Sequence, residues 1–114
     1  MKKSLRARVL AGEVVFGTFV AIPHPVAAEI CAMNGLDMVC IDWEHSQLDR
    51  GRLEDMIRAC DVHGTPTLVR VPGGQPEWIA AALDSGAAGI LAPRVSSAEE
   101  PRRVVEATRC PPIG

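Results

Sequence analysis

The sequence predicts an α/β fold in which parallel strands alternate along the chain with covering helices. Four short apolar runs begin at about residues 14, 38, 67 and 89. A helical segment follows each run, and the runs are almost continuously apolar, as expected of parallel strands that are buried on both faces. Two architectures fit this pattern: a doubly wound sheet, or part of an eight-fold βα barrel.

The first strand–helix unit follows a short polar helix that is predicted around Ser4–Ala11. Val14–Ala21 is rich in β-branched and aromatic residues and predicts the first strand. The next segment, Val26–Met33, predicts a helix. Asn34-Gly35 ends this helix, because Gly and Asn are the residues that tolerate the left-handed conformation at a helix C-terminus.

The second unit begins with the apolar run Met38–Asp42 and continues with a predicted helix over Arg52–Val62. Apolar side chains recur in this helix at i, i+3, i+4 and i+7, so one face is expected to be buried. The residues of that face are Leu53, Met56, Ile57 and Cys60. His63-Gly64 ends the helix.

The third and fourth units complete the pattern. Thr67–Val71 is the third strand, and P-G-G-Q-P leads to a helix over Glu77–Leu83. Gly89–Val95 is the fourth strand. Ser97 and Glu100 have the spacing of a capping box, which predicts a last helix that runs to about residue 108. No G-x-G-x-x-G follows the first strand and no P-loop motif occurs, which weakens a nucleotide-binding interpretation.

Composition and charge narrow the class of protein. With 114 residues and 47% hydrophobic content, we expect residues 1–114 to form one packed unit without an internal boundary. The net charge of −2 and the absence of Tyr give no basic-aromatic surface for nucleic acid. No apolar run approaches the length of a membrane span, and the basic N-terminus lacks the apolar core of a secretion signal, so the expected location is the cytoplasm.

The four cysteines have no C-x-x-C pairing, and each lies in or beside an apolar segment. Buried reduced thiols are therefore expected, rather than a zinc site. The residues are Cys31, Cys40, Cys60 and Cys110.

Polar residues interrupt the apolar runs at the same place in each unit. Asp42, Glu44 and His45 follow the second strand, and Arg70 and Arg94 end the third and fourth. In a parallel βα fold these positions meet at the carboxyl edge of the sheet, where ligands bind. A base, two carboxylates and an arginine are the groups needed to abstract a proton next to the carbonyl of a carboxylate substrate, with a divalent metal as electron sink.

Each candidate also has a structural interpretation. In this interpretation Asp42 caps the turn that follows the strand, Glu44 is a solvated loop charge and His45 is a hydrogen-bonded structural histidine. Arg70 lies inside an apolar strand and therefore needs either an ion pair with Asp42 or Glu44, or an anionic ligand that its planar fork binds in two places. Asp84, near the end of the third-unit helix, is structural unless a neighbouring chain reaches it.

Several motifs together resemble the HpcH/HpaI aldolase family, the metal-dependent class II pyruvate aldolases. They are I-D-W-E-H, T-L-V-R-V-P, L-D-S-G, G-I-L-A-P-R-V and the closing A-T-R-C-P-P-I-G. The resemblance covers essentially the whole chain from L-R-A-R-V-L-A-G-E-V-V-F-G onward. The D-x-E-H strand tip followed by V-R-x-P is its specific part.

The resemblance implies a (β/α)₈ barrel of the TIM type, of which this chain covers about the first four units. It also implies reversible cleavage of a 4-hydroxy-2-oxo acid to pyruvate and an aldehyde. His45 then corresponds to the catalytic base, Asp42 to the carboxylate beside it, and Arg70 to the arginine that binds pyruvate. Glu44 and Asp84 correspond to carboxylates near the metal and its waters.

The resemblance further implies a divalent metal, Mg, Mn or Co, whose two direct ligands are expected beyond residue 114. The isolated chain is therefore expected to have little or no activity, and a homo-oligomer is expected. Two alternatives stay open at this point. One is a non-catalytic half-barrel module that self-associates or complements a partner chain, because half a barrel exposes sheet edges and an apolar face. The other is a carbon–carbon lyase of the citrate lyase β-like type.

Overall fold

The computed structural model describes residues 3–110, which form five helices and four strands. Their bounds are α1 Leu5–Leu10, β1 Gly17–Val20, α2 Pro25–Ala32, β2 Met38–Asp42, α3 Arg50–Asp61, β3 Thr67–Arg70, α4 Pro76–Asp84, β4 Gly89–Leu91 and α5 Glu99–Ala107. Each strand is followed by a helix, as the sequence predicts. None of the helices in the described range is long and apolar enough to cross a membrane.

The strands form one parallel sheet in the spatial order β1-β2-β3-β4. A doubly wound sheet reverses its strand order at a switch point, whereas a βα barrel adds each strand beside the previous one. The sequential order is therefore that of a barrel segment, and it decides between the two architectures that the sequence left open.

β1 and β4 are shorter than predicted. β1 starts only at Gly17, which pairs with Met38; a Cβ at Gly17 would lie 2.6 Å from Met38 Cγ and 2.9 Å from its carbonyl oxygen. β4 stops at Leu91, before the Ala92-Pro93 step, because proline has no N–H for the ladder. The predicted strands Val14–Ala21 and Gly89–Val95 are therefore wrong at their ends.

The core lies between the sheet and the helices α2, α3 and α4. The predicted face of α3 is confirmed, since Leu53, Met56, Ile57 and Cys60 have no exposed surface. Burial of each of the larger of these side chains stabilises the folded state by about 1.5–3 kcal/mol. A buried hydroxyl also joins the layers, since Thr65 donates to the carbonyl oxygen of Ala32 at 3.1 Å.

Two local predictions require correction. Ala98, not Ser97, is the N-cap of α5 and makes no side-chain capping bond. The Glu100 carboxylate instead accepts from the backbone N–H of Ser96 at 3.3 Å and from its hydroxyl at 3.1 Å, so both bonds come from the residue before Ser97. Among the cysteines, Cys40 and Cys60 are buried as expected, but Cys110 is exposed because it follows the last helix at the surface.

Both lateral edges of the sheet carry exposed apolar side chains. On the β1 side, Phe19, Ile22, Val26 and Ile30 are each more than half exposed and line an open groove of about 760 Å³. We call this the β1 groove. On the β4 side, exposed apolar surface comes from Leu91, Val95 and Val105. The sheet is therefore open on both sides, as expected for part of a barrel.

Candidate active site

Two neighbouring strands end in opposite charges at the carboxyl edge of the sheet. Asp42 is the last residue of β2 and is the register partner of Arg70, the last residue of β3. Glu44 and His45 follow in the turn after β2. The parallel ladder thus brings these four candidates together, since the tips of adjacent parallel strands lie side by side.

The Asp42 carboxylate holds the turn that follows β2. Its Oδ1 atom accepts the backbone N–H of Glu44 at 3.1 Å and that of His45 at 3.0 Å. The carbonyl oxygen of Asp42 accepts the hydroxyl of Ser46. Asp42 is only 3% exposed. The turn-capping interpretation is therefore confirmed, and the contact between Asp42 and His45 runs through the backbone amide of the histidine.

Arg70 forms a two-point ion pair with Asp42. Its Nε donates to Oδ1 at 3.2 Å and its Nη2 donates to Oδ2 at 2.8 Å. The guanidinium also lies over the Phe19 ring, 4.4 Å from the centroid, in cation–π geometry. The hydrogen bonds from Arg70 lower the pKa of Asp42 against the opposing effect of burial, and the two backbone N–H donors lower it further. Asp42 is therefore held as a carboxylate.

Glu44 connects the imidazole to two arginines. Its Oε1 atom lies 3.0 Å from His45 Nε2 and 3.8 Å from Arg70 Nε, and its Oε2 lies 3.5 Å from Arg94 Nε. The Glu44 side chain is 8% exposed, whereas the His45 side chain is 67% exposed. A shielded carboxylate thus lies against a solvent-accessible imidazole, and the pair is a candidate for general acid–base chemistry.

Arg94 joins the cluster through its ion pair with Glu44. Its backbone has φ 52°, which makes it the one described non-glycine residue in the left-handed region. Its Nη2 donates to the carbonyl oxygen of Pro72 at 3.0 Å, so the β3–α4 loop fixes the guanidinium beside Glu44. The only sequence signal was its place after the fourth strand, which a surface arginine shares.

Two other polar residues from the sequence lie apart from this cluster. Asp84 is the last residue of α4, which runs back to the amino edge of the sheet, so it lies opposite the strand tips. His24 caps α2, where its Nδ1 accepts the N–H of Val26 at 3.1 Å, and its side chain borders the β1 groove. Within residues 3–110, no hydrogen bond or ion pair joins either side chain to the cluster.

The residues at these strand tips do not form a metal site by themselves. Across the described part of the chain, no three His, Cys, Asp or Glu side chains converge in the way that a metal ion requires. The Asp42 oxygens are engaged by Arg70 and by two backbone amides, and the Glu44 oxygens face one imidazole and two guanidinium groups. Any divalent cation near the edge would therefore need ligands from elsewhere.

The chain is similar to known aldolases along nearly its whole length. The profile of the HpcH/HpaI aldolase/citrate lyase family matches residues 15–114. A 4-hydroxy-2-oxovalerate aldolase of Novosphingobium aromaticivorans is 39% identical over 97% of this chain and 43% of the relative. A hydroxypyruvate/pyruvate aldolase of Roseobacter denitrificans is 38% identical over 99% of this chain and 43% of the relative.

Solved structures agree with the sequence relatives. The citrate synthase SbnG superposes with a TM-score of 0.90 at 36% identity, over 97% of this chain and 45% of that protein. An HpcH/HpaI aldolase from Desulfitobacterium hafniense gives a TM-score of 0.87 at 31% identity, over 99% of this chain and 44% of that protein. The chain thus spans less than half the length of the relatives it matches.

Proposed function

Because the chain belongs to the HpcH/HpaI aldolase/citrate lyase family, we propose that it supplies the proton-transfer and carboxylate-binding residues of a pyruvate aldolase. The proposed reaction is reversible cleavage of a 4-hydroxy-2-oxo acid to pyruvate and an aldehyde. The observation that supports it best is the contact of His45 Nε2 with Glu44 Oε1 at 3.0 Å, next to Arg70 at the strand tips.

His45 serves as the base in the cleavage direction. With Nε2 facing the Glu44 carboxylate 3.0 Å away, the lone pair on Nδ1 accepts the proton of the substrate C4 hydroxyl. The C3–C4 bond then breaks: the electron pair left on the C4 oxygen by the departing proton forms the aldehyde carbonyl, and the C3–C4 electron pair forms the C2=C3 double bond as the C2 oxygen takes the negative charge. The proton that His45 took from the hydroxyl then passes to C3 of this enolate, which gives pyruvate. Glu44 stabilises the imidazolium while it carries the proton.

Arg70 binds the carboxylate of the 2-oxo acid. A guanidinium has five N–H groups. Two N–H groups of Arg70 donate to Asp42, which leaves its remaining N–H groups for a substrate. Asp42 fixes the plane of the guanidinium, and Phe19 supports one of its faces. The ion-pair and the ligand-binding interpretations of Arg70 are thus compatible, because one carboxylate positions the fork for a second one.

We also propose that the complete reaction uses a divalent cation, Mg, Mn or Co, as the enzymes of this class do. Such an ion polarises the 2-oxo group and so acidifies the neighbouring C–H. No cluster of His, Cys, Asp and Glu side chains within residues 3–110 makes a site for it, and Glu44 would bind its waters rather than the ion. We also propose a homo-oligomer, in which the Asp84 of a neighbouring chain would approach such a site.

Pyruvate release tests the proposed function. The native protein, with each of the three metals in turn, is given a 4-hydroxy-2-oxo acid, and pyruvate is followed by coupled reduction. We expect His45→Asn to lower kcat/KM by at least roughly 100-fold, the usual effect of removing an acid–base group. His63→Asn is the matched control, because His63 Nε2 also lies 3.1 Å from a glutamate, Glu29, but away from the strand tips. Equal activity of the two variants would contradict the assignment.

A second carbon–carbon lyase chemistry is supported by the likeness to the citrate synthase SbnG. In that case the carbonyl partner of the enolate is the keto group of a 2-oxo acid rather than an aldehyde. Two substrates separate the alternatives: one with a hydrogen on C4, whose cleavage gives an aldehyde, and one with a carboxylate and a carbon substituent on C4, whose cleavage gives a second 2-oxo acid. Cleavage of the second substrate alone would favour the alternative.

We propose that the isolated segment of residues 1–114 has little or no catalytic activity. We also propose that the protein resides in the cytoplasm. The alternative of a non-catalytic half-barrel module is supported by the open β1 groove and the exposed β4 edge. A discrete, stable dimer of this segment in light scattering, without pyruvate-forming activity alone or with a complementary chain, would favour the module. Recovery of activity on mixing with a complementary chain would favour the enzyme.

A further inference from the structure

A cleft of about 450 Å³ opens beside the candidate active site, between the β3–α4 loop, the end of β4 and α5. Two guanidinium groups line it, those of Arg94 and Arg103, together with Gln75 and Glu100. Arg94 belongs to both places: it borders the cleft, and its Nε lies 3.5 Å from Glu44 Oε2. We call this space the β4 cleft.

The β4 cleft has an excess of positive charge. Its one carboxylate, Glu100, already accepts two hydrogen bonds from Ser96. Arg94 makes one hydrogen bond, to the carbonyl oxygen of Pro72, and its ion pair with Glu44 is longer than a close hydrogen bond. The Arg94 side chain is 75% exposed, so its guanidinium is accessible to a ligand.

Gly74 borders the cleft opposite α5. A Cβ there would lie 3.6 Å from Val104 Cγ2, an ordinary van der Waals distance, so the loop and α5 approach closely at this point. The carboxylate of Glu44 then stands between two guanidinium groups, with Arg70 on the β3 side and Arg94 on the β4 side.

We propose that Arg94 and Arg103 form a subsite for an anionic group on the aldehyde half of the substrate. The inference rests on the proposed function and narrows it, because the aldehyde then carries a carboxylate or a phosphate. Arg70 binds the 2-oxo acid end, His45 acts on the C4 hydroxyl between them, and the β4 cleft receives the far charge. A guanidinium pair suits both anions, since each offers paired oxygens to a planar fork.

The test measures aldol condensation of pyruvate in the complete native protein with two matched pairs of aldehydes. One pair is 4-oxobutanoate and butanal, and the other is glyceraldehyde 3-phosphate and glyceraldehyde. The readout is the ratio of kcat/KM for the charged aldehyde to that for its neutral partner. We expect the ratio to be high in the wild type for one of the two pairs, which also distinguishes carboxylate from phosphate.

In Arg94→Met and Arg103→Met we expect that ratio to fall roughly 10- to 100-fold, the effect of losing a charge-assisted contact. Arg102→Met is the matched control, because Arg102 lies on the same helix, α5, but does not line the β4 cleft. Its ratio should stay at the wild-type value.

The possible outcomes distinguish a failure of the proposed subsite from a failure of the proposed aldolase function. A wild-type protein that condenses neutral aldehydes at least as well as charged ones overturns the subsite and leaves the aldolase standing. Equal loss of the ratio in Arg102→Met also overturns the subsite, since a general surface charge would then explain it. A protein that condenses pyruvate with none of the four aldehydes contradicts the proposed function itself.

Discussion

Replacing Asp42 with alanine should destabilise the protein by about 3–5 kcal/mol, the range for removing one partner of a buried ion pair. Asp42 is 3% exposed, and its loss removes two hydrogen bonds to Arg70 and two from backbone amides. Arg70 would keep its charge in a place where its side chain is only 26% exposed. The two amides after β2 would also lose their acceptor, at about 1 kcal/mol each.

Asp42→Asn is the informative comparison, because its side-chain oxygen still accepts both backbone N–H groups while the charge is lost. We expect it to be destabilised less than Asp42→Ala, by about 1–3 kcal/mol. Urea unfolding of the purified protein measures both, with tryptophan fluorescence as the probe. Trp43 suits this purpose, since it is 7% exposed, donates to Leu48 at 2.8 Å and packs edge-on against Trp78 at 5.2 Å.

Two results would refute this reasoning. An Asp42→Ala protein within 1 kcal/mol of the wild type would mean that water replaces the carboxylate without loss, which the burial does not allow. An Asp42→Asn protein as unstable as Asp42→Ala would mean that the charge alone matters and that capping of the turn contributes nothing.

Further predictions concern pH and thiol reactivity. The pKa of Asp42 is lowered in the folded protein, so its contribution to the free energy of unfolding is complete above the ordinary carboxyl pKa and is lost as the pH falls through the folded value. The stability advantage of the wild type over Arg70→Met, measured by urea unfolding at a series of pH values, should therefore shrink only in acid. An advantage that grows in acid would contradict the linkage. Burial raises the pKa of Cys60 to about 11, so iodoacetamide at pH 8 should alkylate exposed Cys110 well before Cys60. Peptide mass mapping checks this order, and equal rates for the two thiols would show that the α2–α3 layer opens readily.

Patterns with a strong physical cause were predicted well from the sequence. The buried face of α3 follows from helical periodicity alone, and the bounds of β2 follow from its uninterrupted apolar run. The meeting of Asp42 and Arg70 followed from a topological rule, because every parallel strand delivers its last residue to the same edge. These features needed no knowledge of the partners across the sheet.

Features that depend on tertiary neighbours were missed. The start of β1 is set by the close approach of Met38 to Gly17, which no pattern within residues 14–21 reveals. The role of Arg94 depends on a left-handed backbone and on the carbonyl of Pro72, 22 positions away. The spacing D-x-E-H likewise does not say which carboxylate faces the His45 ring. That carboxylate is Glu44, because of the direction in which the side chains point.

The register of β2 against β3 determines how a misaligned strand pairing would change the sheet. Val39 pairs with Thr67, so three residues further along the same ladder Asp42 pairs with Arg70. A slip of one residue would turn every side chain of β3 to the other face of the sheet, sending the guanidinium into the helix layer and a valine to the ligand side. The ion pair at the tip thus acts as a check on alignment, since only one pairing of the two strands brings the opposite charges together.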